Sequence, residues 1–271
     1  MAGDDLKISR ARFGRLLRKL RAQMGFTQQE LSASSTVGQS TISDLELGKK
    51  GTQRDYVVLL DSALTAHGVL IGAWDASFSE GGTSAYFREV AESEQTAIEI
   101  REYSLGLVPG LLQIEEYARG ISMLARPRAE PESIDKIVAA RRHRQELLDR
   151  AYPPAMTVLL DESVLLRRFH DPGIMDAQIQ HLVKQSKRPR LRIQIVPLNT
   201  EGHAGLGGAF TLMEVPDTGT FVYVESQETG FVLKQPEVVA SYERTFAELR
   251  SAALPVPESR AKMEEIRGNI R

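Results

Sequence analysis

The 271-residue sequence contains no cysteine, which excludes disulfides, thiolate metal ligands and cysteine nucleophiles. It has no apolar run approaching the ~18 residues that a transmembrane helix needs. Its first ten residues, MAGDDLKISR, lack the apolar core of a signal peptide. We therefore expect a cytoplasmic protein with no membrane partner, long enough for two domains with separate cores.

Histidine is also scarce, and this bears on the cofactor prediction. The five histidines have no paired metal-ligand spacing; they are His67, His143, His170, His181 and His203. The glycine-rich segment EGHAGLGG does not have the G-x-x-x-x-G-K-[ST] pattern of a phosphate-binding loop. We therefore expect no metal and no other cofactor.

Acidic residues are missing from one stretch near the N-terminus. Residues 10–21, RARFGRLLRKLR, contain six basic residues and no acidic one. Residues 1–72 carry ten Lys or Arg and seven Asp or Glu, a net charge of about +3 that leaves about −5 for the rest of the chain. Most charge runs are solvated helix faces, but a basic N-terminal domain also suits a polyanionic partner.

Apolar spacing predicts five short helices in the first 74 residues. A helix is expected over residues 11–23, and Gly25 ends it. A fourth helix is expected over 54–66, and Trp74 closes the core in a short fifth one. The predicted buried face of the fourth helix is made of Val57, Val58, Leu60 and Leu64. We expect this compact all-α domain to span residues 1–74.

The second and third helices have distinct start and stop signals. Thr27 and Glu30 have the spacing of a capping box, so a helix should begin after Thr27 and run to about Ser34. After a tight connection, a third helix is expected from about Gln39 to Leu47, ended by Gly48. Two short helices joined by such a turn are typical of a helix-turn-helix motif.

The third helix has the composition of a DNA recognition helix. Small or amide-bearing side chains let a helix approach the major groove, and glutamine can bond adenine N6 and N7 together. The predicted base-contacting residues are Gln39, Ser40, Thr41 and Ser43. The predicted phosphate-contacting residues, which would contribute affinity rather than sequence information, are Gln28, Lys49, Lys50 and Arg54. Ile42 and Leu45 should face the core. The alternative is a small helical bundle without a DNA-binding role.

The segment FTQQELSASSTVGQSTISDLELGKK resembles the Cro/repressor-type (XRE) helix-turn-helix family over roughly residues 10–72. The resemblance implies a transcriptional regulator that binds double-stranded DNA. It also implies that Arg21 pairs with Glu46 inside the domain and has a structural role. Three residues depart from the family pattern. Thr36 replaces the usual turn glycine, Gly38 replaces the usual polar cap, and Ser35, at a commonly apolar position, is expected to loosen the local core.

A polar segment with paired glycines at residues 75–85, DASFSEGGTSA, is predicted to be a linker. The domain that follows, 86–271, is predicted to be helical over 86–150, including a helix that extends to residue 102. It should contain mixed strands and helices over 156–255. The predicted strands are the β-branched runs MTVLL, RLRIQIVP, GAFTLMEV and TFVYVE. The expected fold class is therefore an all-α N-terminal domain followed by an α+β C-terminal domain.

This C-terminal region resembles WhiJ-like regulators of filamentous actinobacteria, whose C-terminal domain has no known biochemical role. The matching segments are YSLGLVPGLLQIEEYAR, AARRHRQELL, VLLDESVL, QIVPLNTEGHAG and FVYVES. The resemblance implies a regulatory region and an antitoxin-like arrangement, in which a short protein partner is encoded nearby. A homodimer is expected as well, because one helix-turn-helix reads only a few base pairs.

The function of the C-terminal domain is left with three alternatives. It senses a small-molecule effector through a pocket predicted at Glu162, His203 and Glu225, or it senses a partner protein. In the third alternative the chain is a DNA-tethered enzyme in which Asp161 joins these three residues, although their spacing gives no support for catalysis. The segment around His203 is more readily a plain hairpin connection than a mobile loop over a pocket. Arg141, Arg142 and Arg144 are a solvated face or a contact for an acidic partner.

Overall fold

The structure is a computed structural model that describes residues 2–66, 68–78, 85–169, 171–225 and 230–270. The chain divides into two compact units. The first unit contains residues 1–90 and 225–233, and the second contains residues 91–224 and 234–271. His67, His170 and residues 79–84 of the predicted linker lie outside the described residues.

The N-terminal region is helical as predicted. Its helices are α1 (Ala2–Gln23), α2 (Gln28–Ser35), α3 (Gln39–Glu46), α4 (Arg54–Ala63), α5 (Val69–Phe78) and α6 (Ala85–Thr96). One apolar core unites the first five, and its fully buried members include Leu17, Leu31, Ile42, Leu60 and Leu70. Residues 75–78, predicted to begin the linker, are the last residues of α5 instead.

The capping box at the start of α2 is confirmed. Thr27 Oγ1 accepts a hydrogen bond from the Glu30 amide at 3.1 Å, and Glu30 Oε2 accepts one from the Thr27 amide at 2.7 Å. These bonds satisfy two amides that a helix start otherwise leaves unpaired. Ser35 does not loosen the core as expected, because its buried hydroxyl donates to Leu31 O and accepts from Val37 N.

The predicted burial of one residue of α4 is wrong. Val58 is 38% exposed, whereas Val57, Leu60 and Leu64 are buried. The buried residues follow the i, i+3, i+7 spacing of one helix face, and the residue after Val57 lies about 100° around the helix from it. Apolar character alone therefore misassigned this position.

The C-terminal region has an α+β fold, which confirms the predicted fold class. Its strands are β1 (Glu99–Ser104), β2 (Ala155–Asp161), β3 (Leu191–Val196), β4 (Phe210–Val215), β5 (Gly219–Glu225) and β6 (Gly230–Leu233). They form one sheet in the order β3-β2-β1-β4-β5-β6. β1 pairs in parallel with β2 and antiparallel with β4, and β3 is parallel to β2.

Helices connect and flank these strands. They are α7 (Glu115–Ala125), α8 (Pro131–Gln145), α9 (Glu162–Leu165), α10 (Pro172–Gln185), α11 (Pro236–Ala252) and α12 (Val256–Ile270). Short 3-10 helices lie at Gly110–Leu112, Glu146–Asp149 and Ala204–Gly207. Pro131, Pro172 and Pro236 each begin a helix, where a missing amide hydrogen has no energetic cost.

The central strand of the sheet corrects the prediction that 86–150 is helical. β1 occupies residues 99–104, part of which was expected to be helix. Its sequence, EIREYS, places Ile100 and Tyr103 three residues apart, a spacing that also suits a helix. Strand pairing on both sides decides the outcome, because Glu99 lies opposite both Ala155 and Glu214. β6 and α12 were not predicted either.

Candidate functional site

The turn between α2 and α3 fixes the geometry of the helix-turn-helix. Thr36 has a left-handed backbone with φ of 58°, the conformation that usually favours glycine. Its hydroxyl donates to Ser35 O at 2.6 Å. Val37 is buried, and Gly38 caps α3 without a side-chain bond. The turn therefore keeps its shape although threonine stands where glycine is usual.

The two faces of α3 differ in the way a groove-binding helix requires. Ile42 and Leu45 are 0% and 1% exposed and anchor the helix in the core. The opposite side is polar: Gln39 and Ser40 are exposed, whereas Thr41 and Ser43 are partly exposed. Because the buried face is rigid, the polar face is held in one orientation. The base contacts assigned to these four side chains stay a prediction.

Basic residues follow the C-terminal end of α3 in the sequence. Gly48 has φ of 67°, and a Cβ at this position would lie 2.9 Å from the Ala11 backbone, so glycine lets this loop pass close to α1. Lys49 and Lys50 are exposed. Lys50 lies 3.2 Å from Asp44, but its side chain is 71% exposed, so water screens that pair. Arg54 begins α4 and is partly buried.

A buried ion pair joins α1 to α3, the third helix of the domain. Arg21 Nε donates to Glu46 Oε1 at 2.5 Å and Nη2 to Oε2 at 2.9 Å, and Nη1 donates to Phe26 O. The Arg21 and Glu46 side chains are only 14% and 3% exposed. Gln28 Nε2 also donates to Glu46 Oε2, so the phosphate contact predicted for Gln28 would compete with this bond.

The titration of Glu46 reflects this arrangement. Burial opposes ionisation of the carboxyl group, but hydrogen bonds from Arg21 and Gln28 and the charges of Arg21 and Arg18 outweigh it, so the pKa of Glu46 is lowered. The hydrogen bond to Glu46 raises the pKa of Arg21. Both groups stay charged at neutral pH and hold α1 against α3.

The predicted acids of the second unit have structural roles. Asp161 ends β2, and its side chain accepts a hydrogen bond from the Ser163 amide, which caps α9. Glu162 accepts a bond from the Leu198 amide at 2.9 Å and lies 3.3 Å from Lys262 Nζ. Both carboxylates are thus engaged within the fold.

His203 is brought next to a residue that the sequence analysis did not select. Its ring lies edge-on to the Tyr103 ring, with the centroids 6.2 Å apart. Among the residues that the structure describes, the buried atoms Tyr103 Oη and His203 Nδ1 have no hydrogen-bond partner. Burial and the nearby charge of Asp161 raise the pKa of Tyr103 to about 12, so its hydroxyl remains a donor. A Cβ at Gly205 would lie 2.7 Å from the Tyr103 ring.

The remaining predicted residues are not gathered at this point. Glu225 is the exposed last residue of β5 and is grouped with the first unit. Arg141 donates to Gln113, and Arg144 binds both oxygens of the buried Glu94 at 2.6 and 2.8 Å. Two of the three arginines considered for an acidic partner therefore have internal roles.

Comparison with known proteins assigns a family to each part of the chain. A family model described as a helix-turn-helix domain matches residues 12–74. A second, described as a domain of unknown function (DUF5753), matches residues 87–265. Neither description names an enzyme. No curated protein and no solved structure matches the chain. In the described residues, no helix is both long and apolar enough to cross a membrane.

Proposed function

Because the chain belongs to the DUF5753 family and carries a helix-turn-helix domain, we propose that it is a sequence-specific, DNA-binding transcriptional regulator of the Cro/repressor type. The observation that carries this proposal is α3, whose polar side chains stand opposite the buried Ile42 and Leu45. Residues 1–74 bind DNA, and residues 86–271 act as the regulatory domain in the cytoplasm.

In this proposal α3 lies in the major groove. Gln39, Ser40, Thr41 and Ser43 contact base edges, and Gln39 bonds an adenine through its carboxamide. Phosphates are contacted by Gln28, Lys49, Lys50 and Arg54. The eight residues of α3 make a helix about 12 Å long, which spans only a few base pairs. A homodimer on paired half-sites would provide the remaining specificity.

Replacing Gln39 with alanine is expected to weaken binding to the preferred duplex by about 1–3 kcal/mol and to relax the preference at one base pair. Lys49→Ala is the matched control, because a lost phosphate contact should weaken binding to preferred and scrambled duplexes alike. Fluorescence anisotropy of the full chain measures both, using a duplex selected from a random pool and its scrambled version. If the two variants lose affinity equally on both duplexes, α3 is not the recognition helix.

The C-terminal domain is proposed to mediate dimerisation and to sense an effector. Tyr103 Oη and His203 Nδ1 favour a small-molecule effector, because buried polar atoms without partners are satisfied at a net gain when a ligand supplies the missing bonds. For regulation, this ligand must bind one state of the protein better than the other. The effector-binding roles first assigned to Glu162 and Glu225 stay a prediction.

The effector proposal predicts an unusual effect of Tyr103→Phe. Without ligand the variant should be as stable as the wild type or slightly more stable, because it removes an unpaired buried hydroxyl. A small molecule at 100 times its Kd should stabilise the wild type by about 2.7 kcal/mol. The variant should bind it about tenfold more weakly, the effect of one hydrogen bond. A thermal-shift screen of uncharged metabolites measures both, and a clear loss of stability without ligand would show that the hydroxyl is already bonded.

Two other functions of this domain can be separated by experiment. An antitoxin-like regulator would co-purify with a short protein, and the metabolite screen would then give no hit. A DNA-tethered enzyme would lose an activity in His203→Ala while DNA binding stays intact. The internal bonds of Asp161 and Glu162 make the enzyme the weaker alternative.

A further inference from the structure

One part of the C-terminal domain is strongly basic although the domain as a whole is acidic. The segment KQSKRPRLR, residues 184–192, contains five basic residues, and no Asp or Glu occurs between Asp176 and Glu201. It covers the end of α10, the turn after it and the start of β3. The side chains of Lys184, Lys187, Arg190 and Arg192 are exposed. We call these four residues the basic turn.

The four cations of the basic turn are exposed and lie close together in the sequence. Within the described ranges, none of the four charged side-chain groups forms a hydrogen bond or an ion pair. By contrast, Arg101, Arg144 and Arg267 each bind a carboxylate. Exposed cations this close in the sequence add to one positive potential, with which a bound anion would interact favourably.

The backbone that carries the basic turn is well anchored. Arg188, the fifth cation, donates to Leu148 O at 2.5 Å and pairs with Asp149. From the other side, Arg260 bonds both Ser186 Oγ and Ser186 O at 3.1 Å. The four free cations are therefore presented from a fixed backbone, which lowers the entropic cost of binding.

The neighbouring His181 is on the same helix as Lys184. His181 lies one turn before Lys184 on α10. Burial, together with the charges of Lys184 and Arg188, lowers the pKa of this histidine.

Within the described residues, the basic turn itself exposes no large apolar side chain. Protein interfaces usually have an apolar or aromatic centre. Here Leu191, the one large apolar residue of the segment, is buried. A purely cationic, exposed surface instead suits the phosphate backbone of a nucleic acid, which is bound through charge.

We propose that the basic turn of the C-terminal domain binds the DNA phosphate backbone and adds a sequence-independent contact to that of the helix-turn-helix. This inference rests on the proposed DNA-binding function. The second contact is effective because it acts within one chain, where the first contact raises the local DNA concentration. It increases affinity for all sequences equally and leaves base preference to α3.

The test compares two triple variants of the full chain that lose the same charge. The test variant carries Lys187→Gln, Arg190→Gln and Arg192→Gln. The control carries Arg128→Gln, Lys136→Gln and Arg244→Gln, three exposed cations of the same domain that each have an Asp or Glu within four residues. The affinities of the wild type and of each variant for the selected duplex and for its scrambled version are measured by fluorescence anisotropy across a salt series. Each lost phosphate contact should make the slope of log K against log salt shallower by about 0.9.

The expected result is a slope that is shallower by about 2–3 in the test variant and nearly unchanged in the control. The preference for the selected over the scrambled duplex should be the same in both. Equal slopes for the test variant, the control and the wild type would overturn the proposal, and so would equal losses in both variants, which would indicate a net-charge effect. If the wild type binds neither duplex, the proposed function itself fails, and this outcome is distinct from the others.

Discussion

Replacing Arg21 with alanine is expected to destabilise the helix-turn-helix domain by about 3–5 kcal/mol. The variant leaves the Glu46 carboxylate, whose side chain is only 3% exposed, without its bidentate partner. Gln28 still donates one hydrogen bond to Glu46, but a neutral amide cannot neutralise a buried charge. The lost bond to Phe26 O also frees the segment that leads into α2.

The only tryptophan of the chain reports on this domain. Trp74 lies in α5, is partly buried and donates to Thr52 O at 3.0 Å, so its fluorescence should change when the domain unfolds. Urea denaturation followed by the fluorescence of Trp74 measures the loss of stability caused by Arg21→Ala. The double variant Arg21→Met and Glu46→Leu should regain most of it, because apolar residues of similar volume replace buried ion pairs well. A loss below about 1 kcal/mol for Arg21→Ala would mean that the pair contributes no more than a surface salt bridge.

The same pair predicts how the stability of this domain depends on pH. The pKa of Glu46 is lowered from its ordinary value of 4.5, so the folded domain holds this proton less tightly than the unfolded chain does. The stabilisation is complete above the unfolded pKa and is lost as the pH falls through the folded one. Glu46→Gln should remove this contribution, so its stability should change less than that of the wild type in acid.

The first domain could be predicted from the sequence because its signals are local. The capping box depends on Thr27 and Glu30, and each helix depends on residues three or four positions apart. Two details needed the structure. Predicting the exposure of Val58 requires the exact direction of each side chain on α4. Predicting the effect of Ser35 on the core requires knowing that its hydroxyl donates to Leu31 O.

The second domain could be predicted only in fold class because its central contacts are between distant residues. β1 is a strand because Glu99 pairs with Ala155 and Glu214, and no local pattern contains that information. Tyr103 was missed as a site residue for the same reason, because its contact with His203 joins residues that are far apart in the sequence. The basic turn was missed because charge was summed over a region whose net charge is negative. Its signal, a long interval without acidic residues, is nevertheless present in the sequence.

Gly14→Ala is expected to destabilise the same domain by about 3 kcal/mol, the upper part of the usual range for overpacking. A Cβ at Gly14 would lie 2.2 Å from Leu45 O and 2.8 Å from Glu46 O. Both atoms belong to the α3 backbone, so no flexible side chain can move aside. α1 and α3 would have to separate, which would also move the polar face of α3 and weaken binding to the selected duplex.

The direction of the stability change caused by Gly14→Ala tests whether α1 and α3 pack this closely. Glycine inside a helix costs about 1 kcal/mol relative to alanine, so without the close approach to α3 the substitution in α1 would stabilise the protein. Gly51→Ala serves as the control, because its Cβ would lie no nearer than 3.6 Å to any neighbour, the Arg10 side chain being closest. Urea denaturation followed at Trp74 should show a large loss for Gly14→Ala and a small change for Gly51→Ala. A Gly14→Ala protein more stable than the wild type would mean that α1 and α3 do not pack this closely. The orientation proposed for the recognition helix, which depends on that packing, would then have to be abandoned.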